Sequence, residues 1–196
     1  LSYSYRWVLN NVDIAITETL PSASLNIGDN VECCAIASDA TFSTSEFCSS
    51  LVEIENQPPV CTNINFNTSN YKTNDIMSAT ATISDLDSSQ LSNLNAIFEW
   101  HVLDASNGFT DSIVQTGSNY SLDGALYFDR FDEVYLIVTP NDGLENGSAV
   151  ASTHLTITNT APTTASVFIS PDPAITGEDD LVCLIDTPST DADGDT

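Results

Sequence analysis

The chain has 196 residues and carries 28 Asp and Glu against 3 Lys and Arg, a formal charge of -25. Binding to nucleic acid needs cationic side chains that displace counterions from phosphates, so nucleic-acid partners are excluded. An anionic membrane surface would repel the chain for the same reason. No apolar run is long enough to cross a bilayer, which argues against membrane insertion. The length allows one large or two small domains, and a hydrophobic fraction of 41% is enough for modest cores.

Short segments of alternating apolar residues follow one another along the chain, and no stretch has a helical period. In chain order, the residues expected to face inward are Tyr3, Tyr5, Trp7 and Leu9; Val31, Cys33 and Ala35; Phe98, Trp100 and Val102; Val134, Leu136 and Val138; and Leu181, Cys183 and Ile185. Turn signals such as Asn141-Asp142-Gly143 separate these segments. Short strands with regular turns predict an all-β sandwich fold.

An internal repeat runs through the chain with a step of 103 residues. Residues 134–143 (VYLIVTPNDG) lie 103 positions after residues 31–40 (VECCAIASDA). The linker at residues 159–162 lies the same distance after residues 56–59. This step is about the length of one immunoglobulin-type domain.

The repeat predicts one complete domain, residues 57–162, and one split domain. Residues 163–196 supply the opening strands of the split domain, and residues 1–56 supply the remaining strands. Joined tail to head, residues 191–196 lead into residues 1–7 as an acidic loop leads into a strand. We therefore expect residues 163–196 to be completed by residues 1–56 of the adjacent copy.

Several motifs link the chain to a known class. They are Asn159-Thr160-Ala161-Pro162, Ile169-Ser170-Pro171, Asp179-Asp180-Leu181-Val182-Cys183, Asp191-Ala192-Asp193-Gly194-Asp195-Thr196, Tyr5-Arg6-Trp7 and Thr139-Pro140-Asn141-Asp142-Gly143. With these motifs the chain resembles the tandem immunoglobulin-like repeats of large bacterial and archaeal extracellular surface proteins, similar in style to PKD and cadherin-like arrays. The resemblance implies tandem immunoglobulin-like β-sandwiches at the cell surface. Unlike antibody domains, the chain has Val31 and Val134 where a tyrosine corner would lie.

Five cysteines in such a chain indicate an oxidising compartment. In the joined domain, Cys33 and Cys183 match the disulfide between the two sheets, with Trp7 packed beside it. Because they belong to opposite parts of the chain, we expect this bond to form across adjacent copies.

The other cysteines follow from the strand pattern. A hairpin centred near Thr41 sets Cys34 opposite Cys48, which predicts a cross-strand disulfide. Cys61 is then left over, either as a free thiol or as a bond to another subunit.

A calcium site is expected in the last acidic loop. Asp191, Asp193 and Asp195 alternate around Gly194, and hard oxygen ligands at that spacing can converge on Ca²⁺. In a sandwich this loop shares an end with the loop of Asp39, so an ion bound there would stiffen the joint between domains.

The complete domain has a weaker version of this loop pair, with Asp85 and Asp87 in one loop and Asp142 in the other. For all of these loops a solvated turn is the alternative, because an acidic surface also keeps a secreted protein soluble.

Modification and catalysis are judged from few residues. Asn67, Asn119 and Asn146 begin N-glycosylation sequons, and the many Ser and Thr residues leave O-linked sugars open. His101 and His154 fall on outward strand faces, where we expect surface residues. No HExxH, GxSxG, P-loop or GxGxxG motif is found in the context it requires, so we expect no enzyme.

The sequence therefore predicts a structural repeat unit of an extracellular filament, stalk or surface layer. Its partners are identical copies, joined head to tail as one continuous repetitive chain or by strand donation between subunits. The alternative is an adhesin-type module that binds surface glycans or a protein partner through its loops.

Overall fold

The computed structural model describes residues 1–87 and 89–194 and confirms an all-β fold. The strands are β1 (Ser2–Leu9), β2 (Val12–Ala15), β3 (Asn30–Ser38), β4 (Phe47–Cys48), β5 (Val52–Glu53), β6 (Val60–Phe66), β7 (Ile76–Ser84), β8 (Asn95–Asp104), β9 (Thr110–Gly117), β10 (Ser121–Asp123), β11 (Glu133–Asn141), β12 (Val150–Ala151), β13 (Leu155–Thr156), β14 (Ser166–Ser170) and β15 (Val182–Thr187). A one-turn helix, α1 (Gly124–Tyr127), follows β10. In the part of the chain described, no helix has the length and apolar character needed to cross a membrane.

By contacts, the chain divides into two compact units. The first consists of Leu1–Thr62, Ile83–Asn95 and Pro140–Ser148. The second consists of Asn63–Thr82, Ala96–Thr139 and Ala149–Thr196. The domain boundaries expected near residues 57 and 162 stay a prediction.

The middle of the chain forms two antiparallel sheets. One has the strand order β10-β7-β6, and the other has the order β12-β11-β8-β9 with β13 also paired to β11. Their shared core includes Trp100, Met77, Leu122 and Leu136, none of which is exposed to solvent. The rings of Phe66 and Trp100 approach to 6.1 Å between centroids across this core. Strand order and core together give an immunoglobulin-like β-sandwich, as the alternation predicted.

The first strands of the chain form a sheet of the same design. Its order is β2-β1-β3-β4, with β5 also paired to β3. Cys34 lies opposite Cys48 in this sheet, and Ile137 lies opposite Ala151 in the sheet of β11, so the pairings repeat with the 103-residue step. The sequence repeat is thus a repeat of strand register.

The last strands, β14 and β15, form an antiparallel hairpin in which Ile169 faces Cys183. Every residue of β15 is exposed, including the apolar Val182, Leu184 and Ile185. This hairpin is a two-stranded sheet without an apolar cover in the described residues, and such sheets are marginally stable on their own.

Candidate functional site

A polar site of the first unit surrounds the linker at residues 56–59. The backbone N–H of Gln57 donates to Asp87 Oδ2 at 2.8 Å, and the N–H of Asp87 donates to Asp85 Oδ1 at 2.7 Å. An Asp-x-Asp turn therefore holds the start of the linker.

The side chain of Asn56 is held by a second loop. Its Nδ2 donates to Asp142 Oδ2 at 2.9 Å and to Glu145 Oε1 at 2.7 Å. Asp142 is fully buried, and its Oδ1 accepts the N–H groups of Leu144 and Glu145. The backbone bond from Glu145 and the amide of Asn56 hold the pKa of Asp142 below its usual range. The first linker is thus fixed by a backbone bond of Gln57 and by two side-chain bonds of Asn56.

Half of this arrangement recurs at the second linker. The N–H of Thr160 donates to Asp193 Oδ2 at 2.6 Å, and the N–H of Asp193 donates to Asp191 Oδ1 at 2.8 Å. Asn159, which repeats Asn56, accepts from Arg130 and donates from Nδ2 to the carbonyl of Thr160. The Asp-x-Asp turn is therefore conserved in geometry between the two linkers.

The loop after β3 has the conformation of the Asp142 loop. Asp39 Oδ1 accepts the N–H groups of Phe42 and Thr41, both at 2.7 Å. The bond from Phe42, and after it the bond from Thr41, holds the pKa of Asp39 below its usual range. Unlike Asp142, Asp39 is exposed, and its Oδ2 has no hydrogen-bond donor among the described residues. Asp39 thus lacks the contact that Asn56 gives to Asp142.

The inward face of the first sheet is an apolar surface with a depression of about 340 Å³. We call the residues lining it the open face; they include Trp7, Leu20, Leu25, Val31, Cys33, Val52 and Ile54. Val31 is 5% exposed, Cys33 and Ile54 are half-buried and Val52 is 56% exposed, whereas Val134, Leu136 and Ile157, which repeat Val31, Cys33 and Ile54, are fully buried. This face of the first sheet is therefore less buried than the matching face of the β11 sheet.

The structure pairs two of the five cysteines as the sequence predicted. Cys34 and Cys48 form a disulfide, which confirms that prediction. Cys33 lies half-buried on the open face and Cys183 is exposed on β15, both as free thiols in this chain. Cys61 is 8% exposed on β6, which leaves its sulfur little access to another subunit. The bond between Cys33 and Cys183 of adjacent copies stays a prediction.

The predicted calcium ligands fall into separate loops. Asp191 and Asp193 belong to the turn at Thr160, Asp39 holds its own loop, and Asp195 lies outside the described residues. Among the residues described, the one group of three potential ligands within reach of a single metal ion is Glu32 with the disulfide sulfurs of Cys34 and Cys48, which suits no calcium ion.

The three sequons begin at exposed asparagines. Asn67 and Asn119 lie in turns beside strands, and Asn146 lies in the loop after β11. All three are therefore accessible to a glycosylating enzyme, and modification itself stays a prediction.

A histidine cluster that the sequence did not predict covers the outward face of β8 and β11. The ring of Tyr135 stacks between His101 and His154, with 4.4 Å between centroids on each side. His101 is 7% exposed, so the expectation of a surface residue was wrong for it. Its Nδ1 and Nε2 lie 3.0 Å from Asp111 and Glu99. Neighbouring strands place these outward positions side by side, and this feature of the sequence could have predicted the cluster.

The Tyr135 hydroxyl completes this cluster. It donates to Asp111 Oδ2 at 2.8 Å and lies 2.9 Å from His101 Nδ1. Burial and the bond to Asp111 raise the pKa of Tyr135 to about 12, so the hydroxyl keeps its proton at neutral pH. The cluster is a closed hydrogen-bond network that ties β8, β9 and β11 together.

Neither a family model nor a curated protein matches the sequence. Among solved structures, the chain is similar to the FN1–FN3 domains of chicken CNTN1, with 11% identity, coverage of 96% of this chain and 77% of that chain, and a TM-score of 0.38. A likeness at this score supports no conclusion about function. The class of protein, an immunoglobulin-like β-sandwich, follows from strand order and pairing.

Proposed function

We propose that the chain is a structural repeat unit of an extracellular filament, stalk or surface layer, assembled head to tail from immunoglobulin-like sandwiches. The observation that carries the proposal is the open face. The first sheet repeats the strand order and register of the β11 sheet, in which Leu136 and Ile157 are fully buried, whereas Cys33 and Ile54 of the open face are half-buried. An exposed core face of this kind is covered in a functional assembly, because burying apolar surface is the main driving force for association.

The partner that fits the open face is the β14–β15 hairpin of a second copy. In the complete sandwich, β6 and β7 follow the first linker and cover the β11 sheet. The β14–β15 hairpin follows the second linker in the same way and exposes Val167, Leu181 and Ile185. Residues 163–196 of one copy with residues 1–56 of the next then make one sandwich, and Cys183 comes to the position where Cys33 can bond it.

Two routes lead to the same assembly. In one, a continuous chain passes through many copies. In the other, separate subunits lend strands to one another, which satisfies an unpaired sheet edge with backbone groups of another chain. Native material on a reducing denaturing gel distinguishes them, since a ladder or a very large species indicates one chain and a band near 21 kDa indicates lent strands.

We also propose that bound Ca²⁺ stiffens the linkers between the domains. Asn56 Oδ1, Asp85 Oδ2 and Asp193 Oδ1 are buried oxygens without a donor in hydrogen-bond geometry among the described residues. Such hard oxygen atoms are the ligands that Ca²⁺ takes. Asp191, Asp193 and Asp195 would hold the ion at the second linker. We expect added Ca²⁺ to raise the unfolding temperature and EGTA to reverse the rise; identical melts with and without Ca²⁺ would remove calcium from the account.

The proposed function is tested by the association of the purified chain. Sedimentation velocity over a concentration series, with negative-stain electron microscopy of the same samples, should show linear oligomers that lengthen with concentration. A chain that stays monomeric at every concentration contradicts head-to-tail assembly.

A further inference from the structure

The first linker shows how a sandwich receives the linker that enters it. Asn56 donates both protons of its Nδ2 group, one to Asp142 and one to Glu145. Asp142 in turn keeps its Oδ1 for two N–H groups of its own loop and presents Oδ2 to the linker. The loop aspartate is thus an acceptor prepared by the backbone for an asparagine side chain.

The same two parts exist in the second half of the repeat, but they are not joined. Asp39 repeats the loop of Asp142, with Oδ1 engaged by Thr41 and Phe42 and Oδ2 open. Asn159 repeats Asn56, and its Nδ2 makes one of the two bonds that an amide NH₂ group can donate. Thr160, the next residue, already has the backbone contact to Asp193 that Gln57 has to Asp87.

We propose that Asn159 Nδ2 of one copy donates to Asp39 Oδ2 of a second copy, and that this contact selects head-to-tail order in the assembly. The inference rests on the proposed function and names the polar contact that accompanies burial of the open face. An amide that donates to a carboxylate makes a charge-assisted bond, which is stronger than a bond between neutral groups. In a chain with a formal charge of -25, such a bond also gives two acidic surfaces a specific attraction.

The two joints differ in ways that limit the contact to this pair. Phe42 stands where Glu145 accepts the second proton of Asn56, and the other acid of this loop, Glu46, accepts from Arg6. Thr44 stands where Gly147 does, and a Cβ at Gly147 would lie 1.8 Å from the carbonyl oxygen of Pro59. Pro162, the one proline of the second linker, would therefore have to pass over this loop by a different path, and the proposed contact is limited to Asn159 and Asp39.

This geometry also gives Asp39 a role other than calcium ligand. Its counterpart Asp142 uses both carboxylate oxygens for hydrogen bonds. The oxygens of the first joint that lack a donor belong instead to Asn56 and Asp85.

The test is a charge exchange measured by sedimentation equilibrium. All variants carry Cys183→Ser, so that no disulfide between copies hides the equilibrium while Cys34–Cys48 stays oxidised. Asn159→Asp sets two carboxylates against each other and should weaken association by at least about tenfold. Adding Asp39→Asn to it restores a donor and an acceptor with their places exchanged and should bring association back to within about threefold of the background.

Asn107→Asp is the matched control. It adds the same charge at an exposed asparagine outside both linker segments, so it should leave association within about threefold of the background. Thermal melts of each variant at low concentration check that the monomer is still folded, because Asp39 and Asn159 also accept hydrogen bonds within their own chain.

The outcomes separate the contact from the proposed function. A background chain that associates, with Asn159→Asp no weaker than Asn107→Asp, overturns the contact and leaves head-to-tail assembly standing. The contact is also overturned if the double variant associates no better than Asn159→Asp. A background chain that remains monomeric overturns the proposed function, and the contact with it.

Discussion

At the scale of single residues, the loops of Asp39 and Asp142 show how one motif behaves with and without its partner. Both carboxylates accept two backbone N–H groups, and in both the pKa is held below its usual range. Asp142 also accepts the amide of Asn56 and has no exposed surface, whereas Asp39 is exposed. The linker therefore gives the Asp142 loop one more hydrogen bond to the carboxylate, from Asn56, than the Asp39 loop has.

This difference predicts an acid dependence of stability. Because the folded-state pKa of Asp142 lies below that of an unfolded aspartate, about 3.9, its contribution is present above that pH and is lost as the pH falls through the folded-state value. Asp142→Asn should lower the urea midpoint at pH 7 and flatten the fall of that midpoint as the pH drops below about 4. Asp39→Asn should have the smaller effect at pH 7. An acid dependence of Asp142→Asn equal to that of the wild type would contradict this reading of the loop.

At the scale of elements, the cross-strand disulfide replaces packing. Cys34 and Cys48 occupy the pair of positions that Ile137 and Ala151 fill in the repeated sheet. A sheet with an uncovered face has less apolar burial to hold β4 on β3, and the covalent bond constrains this edge instead.

We therefore expect Cys34→Ser with Cys48→Ser to reduce the free energy of unfolding of the first sheet by about 3 kcal/mol, given the 14-residue separation. The measurement is urea unfolding followed by tryptophan fluorescence, which Trp7 reports. Cys183→Ser removes an exposed thiol outside any disulfide of this chain and should leave the monomer unchanged. Equal stability of the double variant and the wild type would show that the bond is not needed at this edge.

A strand that forms during assembly is also expected. Trp100 Nε1 donates to the carbonyl of Asn119, and β10 follows it and pairs with β7. Trp7 Nε1 donates in the same way to the carbonyl of Thr17, yet no strand follows there in the described residues, and β15 pairs with β14.

Assembly should supply that pairing. Residues 18–20 would then add to β15 of the next copy, since backbone groups at a sheet edge are satisfied by an adjacent strand. Amide hydrogen exchange in peptides covering residues 17–21 and 181–187 should slow by at least about tenfold in oligomers relative to monomers. The peptide covering β10 is the control and should be protected in both. Unchanged exchange at residues 17–21 would mean that the second sheet forms without them.

The sequence predicted the elements better than the site. Alternation identified the core faces of Trp100 and Leu136, and the hairpin at Thr41 identified the Cys34–Cys48 bond, because both depend on period and register within neighbouring strands. The burial of Asp142 and the network around His101 were missed, because they depend on side chains from several loops or strands. The sequence alone does not distinguish a loop carboxylate that bonds a linker from one that binds an ion or faces water.

At the scale of the whole molecule, some sheets have their apolar residues buried and others leave them exposed. One sandwich has both of its sheets, while the sheet of β1–β5 and the β14–β15 hairpin each leave apolar residues exposed. The repeat shows that these two parts correspond to the two sheets of the complete sandwich. In the proposed assembly, a second copy covers these exposed faces.

The most direct measurement uses the two thiols. Copies labelled with ¹⁵N and unlabelled copies are mixed in denaturant, refolded together and oxidised mildly, and the disulfide-linked peptides are identified by mass spectrometry. The account predicts Cys33 peptides of one label bonded to Cys183 peptides of the other in about half of the linked pairs, the statistical share for random pairing between copies. Cys33–Cys183 peptides that always carry a single label, or oxidised chains in which the two residues are never linked, would contradict completion of the split sandwich by a second copy.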